Sequence, residues 1–506
     1  MGAMDFNVGT FLSKRAELFP HQEGLVCEGL RLTFSQMNER CNRLVHALRK
    51  LGVEKGDRVA ILAFNEPEYY DLFNAVAKMG AIMVTLNYRL AGPELQYIME
   101  DSGAKVLIFS REFAEVVDSF RGDVPAERFI AIMDDPPEWA VSYAAVTTGE
   151  PADEPEIAGG GDDTLAILYT SGTTGRPKGA ELTHNGFFVT SDTLIATLGM
   201  PGDTFLIVLP LFHIGALPGV ILNSQFGLRS VLCRTLDPVR FLELLGEEKV
   251  TAFGSVPQLL QILQMVPDFE KYDWSSVEVI LVYAAPVPVT LLNEYAEAGI
   301  EVRQLYGLTE CTGPAAVIDG EHALSKAGSC GLPMFYIDIR LVDEDGNDVE
   351  PEELGEVIMR SQNVMKGYWG KPEETARTIR DGWLYTGDIA KMDEDGYLYI
   401  MDRKKDMIIS GGENIYPAEI EDFILSHPKV ADVGVIGCPD EQWGEAVRAV
   451  VVVKEGEELT ELEIIEYCKG NIGKFKIPRS VVFCEALPRT PTGKILKRVL
   501  RDEYNA

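Results

Sequence analysis

The chain has 506 residues, of which 46% are hydrophobic, and this length is too great for one ordinary hydrophobic core. Its net charge is −33, so its surface as a whole repels nucleic acids and anionic membranes, and neither is expected as a partner. These values indicate a soluble globular enzyme of two or more domains.

Targeting and cross-linking signals are missing from the sequence. No run of eighteen apolar residues could span a membrane, and residues 1–5 do not begin a secretory signal. The eight cysteines are scattered without close pairs, which disfavours a disulfide framework or a zinc site. Six histidines argue likewise against a histidine-rich metal centre. A reducing cytoplasm is therefore the expected location.

Short apolar runs alternate with helical patterns from about residue 15 to about residue 400. Strands that alternate with helices indicate α/β layers with largely parallel sheets. The clearest predicted elements are helices at 34–51, 67–79 and 257–266, and strands at 59–64, 106–109, 165–169, 205–209 and 277–283. A stretch rich in proline, glycine and acidic residues at 151–163 is interpreted as a linker inside the large domain.

The pattern changes at the charge cluster 403–406. The chain after it predicts helices at 418–426, 461–468 and from 494, and strands at 430–437, 447–453 and 480–485. We therefore predict an α/β protein with two domains. A large N-terminal domain of layered α/β sheets covers residues 1–402, and a small α+β domain on a polar hinge covers residues 403–506.

The most informative segment is the glycine- and hydroxyl-rich loop at 169–179, YTSGTTGRPKG. It follows a predicted buried strand and precedes a helical pattern. Strand, loop and helix in this order hold a phosphate chain, with N–H groups and hydroxyls as donors and Lys178 as the charge. The pattern of P-loop nucleotide triphosphatases does not fit, because it needs glycine at Pro177 and a hydroxyl residue at Gly179.

The loop resembles the phosphate-binding signature of the adenylate-forming superfamily, which includes acyl-CoA synthetases, beetle luciferases and peptide-synthetase adenylation domains. Further segments match this superfamily in order and spacing from about residue 10 to about residue 500. The resemblance implies that the loop binds the β- and γ-phosphates of ATP. The residues implied are Thr170, Ser171, Gly172, Thr173, Thr174, Gly175 and Lys178.

Other segments supply the rest of an expected nucleotide site, although each taken alone fits an ordinary turn. A carboxylate on the turn 306–310 can hold Mg²⁺, and the resemblance gives that role to Glu310 and the α-phosphate contact to Thr309. Asp388 can accept hydrogen bonds from ribose hydroxyls. The remaining nucleotide contacts implied by the resemblance are Ala284, Ala285, Pro286, Tyr306, Gly307, Ile400 and Arg403.

An acyl pocket is implied around His213, which stands in the otherwise apolar segment 210–215. A lone histidine there is usually a core residue, whereas the resemblance makes it a neighbour of the acid's carboxylate. Amino-acid-activating relatives carry aspartate where Ile214 stands, so an α-amino acid is disfavoured. The other implied pocket residues are Phe187, Ile214, Phe253, Gly254 and Leu308, which favour an aliphatic or aromatic acid.

The C-terminal segment carries the residues implied for the second half of the reaction. The resemblance makes Lys405 a hinge for a mobile small domain, and places the adenylation lysine at Lys494, whose flexible ammonium suits charge on a phosphoryl centre. It implies a channel for CoA at Gly411, Gly412, Glu413, Trp443 and Gly444. Basic residues concentrated between 471 and 501 predict a surface that receives anions.

The sequence therefore predicts an AMP-forming acid–CoA ligase that uses ATP, Mg²⁺ and coenzyme A to activate a carboxylic acid, with medium-chain fatty and aryl acids as the open choices. Three alternatives stay open. They are an enzyme that loads a carrier protein, a luciferase-like oxygenase, and a non-catalytic nucleotide-binding protein of this fold. The oligomeric state is also open, with a homodimer as one alternative.

Overall fold

The protein is described here by a computed structural model. It describes residues 6–170, 176–200, 202–283, 287–403, 406–410, 413–415, 417–440, 443–469, 471–472, 476–489 and 495–505. The helices in these ranges are α1 (Gly9–Leu18), α2 (Phe34–Lys50), α3 (Pro67–Met79), α4 (Gly92–Ser102), α5 (Ala114–Phe120), α6 (Tyr143–Thr147), α7 (His184–Leu198), α8 (Pro218–Phe226), α9 (Pro238–Glu247), α10 (Pro257–Gln264), α11 (Val289–Glu297), α12 (Pro372–Thr378), α13 (Pro417–Leu425), α14 (Glu461–Cys468) and α15 (Lys497–Tyr504).

The first sixteen strands are β1 (Glu23–Cys27), β2 (Leu30–Thr33), β3 (Arg58–Leu62), β4 (Ile82–Thr85), β5 (Val106–Ser110), β6 (Arg128–Ile132), β7 (Val141–Ser142), β8 (Thr164–Thr170), β9 (Lys178–Thr183), β10 (Thr204–Ile207), β11 (Arg229–Leu232), β12 (Ala252–Ser255), β13 (Val279–Val282), β14 (Glu301–Leu308), β15 (Gly313–Val317) and β16 (Leu332–Pro333). The remaining strands are β17 (Asp338–Val342), β18 (Gly355–Arg360), β19 (Gly367–Tyr368), β20 (Ile379–Arg380), β21 (Trp383–Met392), β22 (Leu398–Arg403), β23 (Ile408–Ser410), β24 (Glu413–Ile415), β25 (Val430–Asp440), β26 (Gly444–Val453) and β27 (Ser480–Phe483).

Two large sheets form the centre of the N-terminal part. One has nine strands in the order β16-β15-β14-β13-β12-β10-β11-β1-β2, and the other has eight in the order β19-β9-β8-β4-β3-β5-β6-β7. Strands β10 to β14 of the first sheet, and β3 to β8 of the second, pair in parallel wherever they are neighbours. The carboxyl ends of parallel strands lie at one edge of a sheet, where α/β proteins place their ligands.

The two sheets share the largest apolar core. This core contains strand residues of both sheets, such as Ile61 and Ile207, together with buried residues of the helices between them, such as Leu44 and Phe73. Helix α1 packs against α2, α3 and α8, and α7 packs against α8. This arrangement is the layered α/β architecture that alternating strand and helix patterns predict.

Two smaller sheets complete the fold. Strands β17, β18, β20, β21 and β22 form an antiparallel sheet, which the sequence pattern did not reveal. Strands β23 to β26 form an antiparallel sheet with β27 added in parallel, and α13 and α14 cover its core. The predicted fold class, a large α/β domain and a smaller α+β domain, is confirmed.

The phosphate-loop prediction needs one correction, because the loop joins two strands. Residues Lys178–Thr183 form β9, which pairs antiparallel with β8, and helix α7 begins only after it. The loop is therefore the end of a hairpin, and the N-terminus of α7 lies about 17 Å of strand away. The sequence KGAE has weak strand propensity, so pairing with β8, rather than local preference, forms this strand.

The segment at 151–163 is a fixed strap rather than a free linker. The Glu154 carboxylate accepts hydrogen bonds from Asn38, at 2.5 Å, and from Lys78, at 3.0 Å. Lys78 is fully buried, so its ammonium depends on this carboxylate and on neighbouring amide oxygens. The chain that leads into β8 is thus held against α2 and α3.

The described part of the chain was also searched for membrane-spanning elements. It contains no helix that is both long enough and apolar enough to cross a membrane.

The start of α7 is tied to the N-terminal segment through a buried histidine. The Val8 N–H donates to His184 Nδ1 at 3.3 Å, so the imidazole is an acceptor there. Nε2 is buried without a partner among the described residues. Burial lowers the pKa of His184 to about 4, against a smaller upward effect of Asp163. The folded protein therefore resists protonation of this ring.

This histidine predicts a pH dependence of stability. Well above pH 6.5 the ring is neutral in both the folded and the unfolded protein. As the pH falls below 6.5, the ring of the unfolded chain binds a proton while that of the folded protein stays neutral. The free energy of unfolding should therefore fall by about 2 kcal/mol from this residue between pH 6.5 and pH 5. His184→Gln should reduce that slope in urea titrations, with His21→Gln as a matched loss of an exposed histidine. An unchanged slope in His184→Gln would contradict this account.

Candidate functional site

The carboxyl edges of the two large sheets are held together by buried polar side chains. Asn65 follows β3, and its amide donates to the carbonyl oxygens of Leu209, at 3.0 Å, and Cys233, at 3.2 Å. Its amide oxygen accepts from the Leu211 N–H at 2.9 Å. Thr85, at the end of β4, donates to the Phe212 carbonyl at 2.9 Å. These bonds fix the turn that carries His213 against the sheet that carries the hairpin.

The hairpin and the turn after β14 meet at one carboxylate. The Tyr368 hydroxyl donates to Glu310 Oε1 at 2.9 Å, and Thr170 Oγ1 lies 3.4 Å from the same oxygen. The Glu310 carbonyl accepts from the Met365 N–H at 2.8 Å. Thr309 and Glu310 lie in a short 3₁₀ turn, Thr309–Cys311, directly after β14. The structure thus brings together Thr170, Thr309 and Glu310, three residues that the sequence analysis assigned to the nucleotide site.

Lys178 lies over the ring of the same tyrosine. Its ammonium is 5.4 Å from the centre of the Tyr368 ring and forms an ion pair with Glu374 of α12. Lys178 is only 9% exposed, so its charge needs this partner or an anionic ligand. Tyr368 therefore contacts a cation through its ring and a carboxylate through its hydroxyl, which is a suitable distribution of charge for a metal-bound phosphate chain.

A second pair of predicted residues is joined directly. The Tyr306 hydroxyl donates to Asp388 Oδ2 at 2.6 Å, and Asp388 is almost fully buried. In the antiparallel pair of β21 and β22, Asp388 lies opposite Arg403, and Ala390 lies opposite Ile400. Tyr306 thus contacts the strand pair that carries Asp388, Arg403 and Ile400, and it lies beside Gly307 at the bulge in β14.

His213 has a neutral imidazole in this site. Burial, together with a smaller effect of the nearby Arg89 charge, lowers its pKa to about 4. Its Nε2 is buried and has no partner among the described residues, and its ring contacts Phe212 at a centroid distance of 4.3 Å. At neutral pH His213 can therefore act as a hydrogen-bonding group but not as a counter-ion for a carboxylate.

The apolar residues predicted for the acyl pocket have different surroundings. Phe187 is fully buried and packs edge-to-face on Phe73, with ring centroids 5.2 Å apart. Phe253 is fully buried and packs on Phe241 at 5.0 Å, in the core between the nine-stranded sheet and its outer helices. Their burial in these cores explains both rings without a ligand. Ile214 and Leu308 are half-buried, and Gly254 faces the Tyr283 hydroxyl.

In the C-terminal sheet, two predicted channel residues share a corner. Glu413 pairs with Ser410 in the β23–β24 hairpin, and Ser410 pairs with Gly444 at the start of β26. Trp443 is 38% exposed beside them, and the Arg479 guanidinium lies 5.4 Å from its ring centre. The backbone thus places these segments together.

The predicted anion-receiving surface between 471 and 501 needs correction. Four of its described basic residues form ion pairs within the C-terminal part, because acidic residues of α13, of β25 and of the segment before β23 lie within reach. The pairs are Lys476–Glu419, Arg489–Asp432, Lys497–Glu421 and Arg501–Asp406, at 2.6 to 3.0 Å. These four basic residues are close together in the sequence, but their ion pairs prevent them from forming an unpaired basic surface.

Several predicted residues lie outside the described part of the chain. They are Ser171, Gly172, Thr173, Thr174, Gly175, Ala284, Ala285, Pro286, Lys405, Gly411, Gly412 and Lys494. For Arg403 and Glu413 only the backbone pairing is described. Their assigned functions stay predictions.

Sequence reasoning missed Tyr368, Glu374 and Asn65. Tyr368 lies in a two-residue strand that pairs with β9, far along the chain from the loop it serves. A glutamate or asparagine in an ordinary polar context carries no local signal of its partner. Only the pairing of β19 with β9 brings Tyr368 to the hairpin, and no local pattern predicts that pairing.

Comparison with known proteins identifies the family. The family model of the AMP-binding enzyme matches residues 12–369, and that of its C-terminal domain matches residues 419–494. The chain belongs to the AMP-binding enzyme family. A long-chain-fatty-acid–CoA ligase of Mycobacterium tuberculosis, FadD13, is 42% identical, with 99% of each chain covered. A feruloyl-CoA synthase of an Amycolatopsis species is 39% identical, with 98% of this chain and 99% of the relative covered.

A solved structure extends the comparison to a ligand complex. The O-succinylbenzoate coenzyme A synthetase of Bacillus subtilis, in complex with ATP and magnesium ion, has a TM-score of 0.88 and is 33% identical. The match covers 97% of this chain and 99% of that chain. The predicted superfamily and the prediction of a CoA-ligase enzyme that activates an acid are confirmed.

The surroundings of Lys178 predict a specific loss of activity. Lys178→Met should lower kcat/KM for ATP by about 100-fold, because a preorganised charge beside the phosphates is lost. The measurement is exchange of labelled pyrophosphate into ATP. Lys371→Met removes a lysine that pairs with Asp101 at 2.9 Å, and should change the value less than about threefold. Equal losses in both variants would contradict the assignment.

Proposed function

We propose that this chain joins a carboxylic acid with an aliphatic or aromatic body to AMP and then to coenzyme A. The observation that supports this most is that both charged groups contact one side chain: the Lys178 ammonium lies 5.4 Å from the centre of the Tyr368 ring, and the Tyr368 hydroxyl donates to Glu310. An ammonium and a carboxylate gathered at one tyrosine match the two needs of magnesium-bound ATP, a cation for phosphate oxygens and an oxygen ligand for the metal.

The first half-reaction depends on positioning and on neutralising charge. We assign the β- and γ-phosphates to Lys178 and the loop 171–175, and the α-phosphate to Thr309. Glu310 supplies one carboxylate, which suits Mg²⁺, an ion usually bound by one or two carboxylates and substrate phosphates. The acid's carboxylate oxygen attacks the α-phosphorus, the bond to the bridging oxygen breaks, and pyrophosphate leaves. Lys494 balances the charge between the acid and the α-phosphate.

The nucleoside and the acid lie on either side of this centre. Asp388 and Arg403 hold the ribose, and Tyr306 holds Asp388 in place while lining the adenine side. His213 presents a neutral imidazole to the acid, so its contribution is one hydrogen bond, not charge. Ile214 offers no carboxylate for a substrate amine, which favours acids without an α-amino group.

The second half-reaction uses a different face of the C-terminal part. The sulfur of coenzyme A, as its thiolate, attacks the carbonyl carbon of the acyl-adenylate, and the bond to the phosphate oxygen breaks to release AMP. We assign the channel for the thiol arm to Gly411 and Gly412 together with the corner where Glu413, Trp443 and Gly444 lie. A rotation about Lys405 then exchanges this corner with Lys494 between the half-reactions.

The role of Lys494 predicts a separation of the two half-reactions. Lys494→Ala should lower acid-dependent pyrophosphate exchange by at least about 100-fold, because it removes charge stabilisation from the first step alone. Thioester formation from supplied acyl-adenylate and CoA should stay within about threefold of the wild-type rate. Arg498→Ala, which removes another basic residue of the same segment, is the control. Equal loss of both steps in Lys494→Ala would show that the assignment is wrong.

The hinge predicts the opposite pattern. Lys405→Pro fixes φ near −65°, so it should spare pyrophosphate exchange and slow thioester formation by at least about tenfold. Lys405→Ala removes the charge but leaves the backbone free, and should keep both rates near those of the wild type. Single-turnover assays measure each step. Unchanged thioester formation in Lys405→Pro would remove the hinge from the mechanism.

The overall proposal is tested by product analysis. Purified protein is offered acetate, hexanoate, octanoate, palmitate, benzoate and cinnamate with ATP, and pyrophosphate and AMP are measured with and without CoA. The proposal expects AMP in equal amounts with acyl-CoA. An acyl group transferred to a phosphopantetheinyl carrier but not to CoA would favour the carrier-loading alternative, and oxygen uptake would favour the oxygenase.

A further inference from the structure

One aromatic side chain at the carboxyl edge of the nine-stranded sheet has no role in the reaction above. Tyr283 directly follows β13, and its N–H donates to the Ser255 carbonyl at the end of β12 at 3.2 Å. Its hydroxyl donates to the Gly215 carbonyl at 2.5 Å. The side chain thus crosses from the sheet edge to the turn that carries His213 and Ile214.

The ring fits there because two glycines face it. A Cβ atom added to Gly254 would lie 2.3 Å from the Tyr283 hydroxyl oxygen, and one added to Gly215 would lie 2.5 Å from Cε2 of the ring. Real Cβ atoms do not approach other atoms so closely. The phenol therefore fills the gap between the end of β12 and the turn, with no space left for a methyl group on either side.

The ring is held in this position. Burial raises the pKa of the Tyr283 hydroxyl, so it stays protonated and donates its hydrogen bond. Moving the ring outward would break that bond and leave the Gly215 carbonyl without this donor, which disfavours the movement. The residue is half-buried, and its hydrogen bond to Gly215 places it at the turn that carries His213.

We propose that the Tyr283 ring is the end wall of the acid pocket and restricts this enzyme to compact acids. This inference rests on the proposed function, because His213 and Ile214 are the residues placed beside the acid there. A short aliphatic chain or a single small ring ends before the phenol. A long chain would have to pass between Gly254 and Gly215, where the phenol already lies.

The experiment compares four proteins in pyrophosphate exchange with butanoate, hexanoate, octanoate, dodecanoate and benzoate. They are the wild type, Tyr283→Ala, Tyr283→Phe and Tyr295→Ala. Tyr295 is a matched control, because it is also buried and its hydroxyl donates to a backbone carbonyl, that of Leu260, at 3.0 Å. Its truncation leaves a cavity in the core around α10 and α11, away from the pocket.

The wild type should use hexanoate at least about tenfold better than dodecanoate, measured as kcat/KM. Tyr283→Ala should raise kcat/KM for dodecanoate by about tenfold or more, because the end wall is removed. Tyr283→Phe keeps the ring and should keep the wild-type order of acids. Tyr295→Ala should also keep that order. Tyr283→Leu, which fills part of the ring volume, should give an intermediate order and replaces Tyr283→Ala if the latter does not fold.

Three results would overturn the inference. Efficient use of dodecanoate by the wild type would show that the ring does not end the pocket. If folded Tyr283→Ala, or Tyr283→Leu where it replaces that variant, kept the wild-type order of acids, another residue would set the limit on the length of the acid. No pyrophosphate exchange with any acid in any of the proteins would overturn the proposed function, and the inference with it. That result is distinct from an unchanged order of acids among active proteins.

Discussion

The site depends on one constraint, the meeting of two sheet edges around Tyr368. Strand β8 of one sheet ends at Thr170, strand β14 of the other leads into Glu310, and Tyr368 joins them while its ring faces Lys178. Polar bonds from Asn65 and Thr85 hold the same edges together in the interior. Burying an ammonium or a carboxylate is costly unless a ligand or a fixed partner of opposite charge balances it. Glu374 balances Lys178 in this structure, and magnesium-bound phosphates would be the functional partner.

Local sequence patterns predicted where helices and strands lie, but not which elements pack against one another. Helix α3 has the bounds that its apolar spacing indicates, and α14 begins after Thr460, whose side chain caps it together with Glu463. Strand β9 was missed because its residues carry little strand preference and it forms by pairing with β8. Tyr368 was missed for the same reason, since only the pairing of β19 with β9 brings it to the hairpin. The basic residues near the C-terminus were predicted as an open surface, yet carboxylates of the same region pair with four of them.

The same scaffold serves different acids in the relatives, whose names include a long-chain fatty acid, a ferulate and a succinylbenzoate. Nucleotide contacts have little reason to change within a family of AMP-binding enzymes. The acid pocket, in contrast, can change through a single substitution that alters side-chain packing. In this chain Phe253 packs in the core against Phe241, whereas the adjacent Gly254 leaves a gap that Tyr283 fills. Alternation along one strand thus separates a stability residue from a candidate specificity residue.

The most direct measurement is a crystal structure of the complex with magnesium and a non-hydrolysable ATP analogue. The account predicts that Lys178 leaves Glu374 for a β- or γ-phosphate oxygen, that Glu310 enters the coordination sphere of the magnesium ion, and that Asp388 accepts hydrogen bonds from the ribose. Phosphates bound elsewhere, with Lys178 still paired to Glu374 and Glu310 without metal, would contradict the central claim.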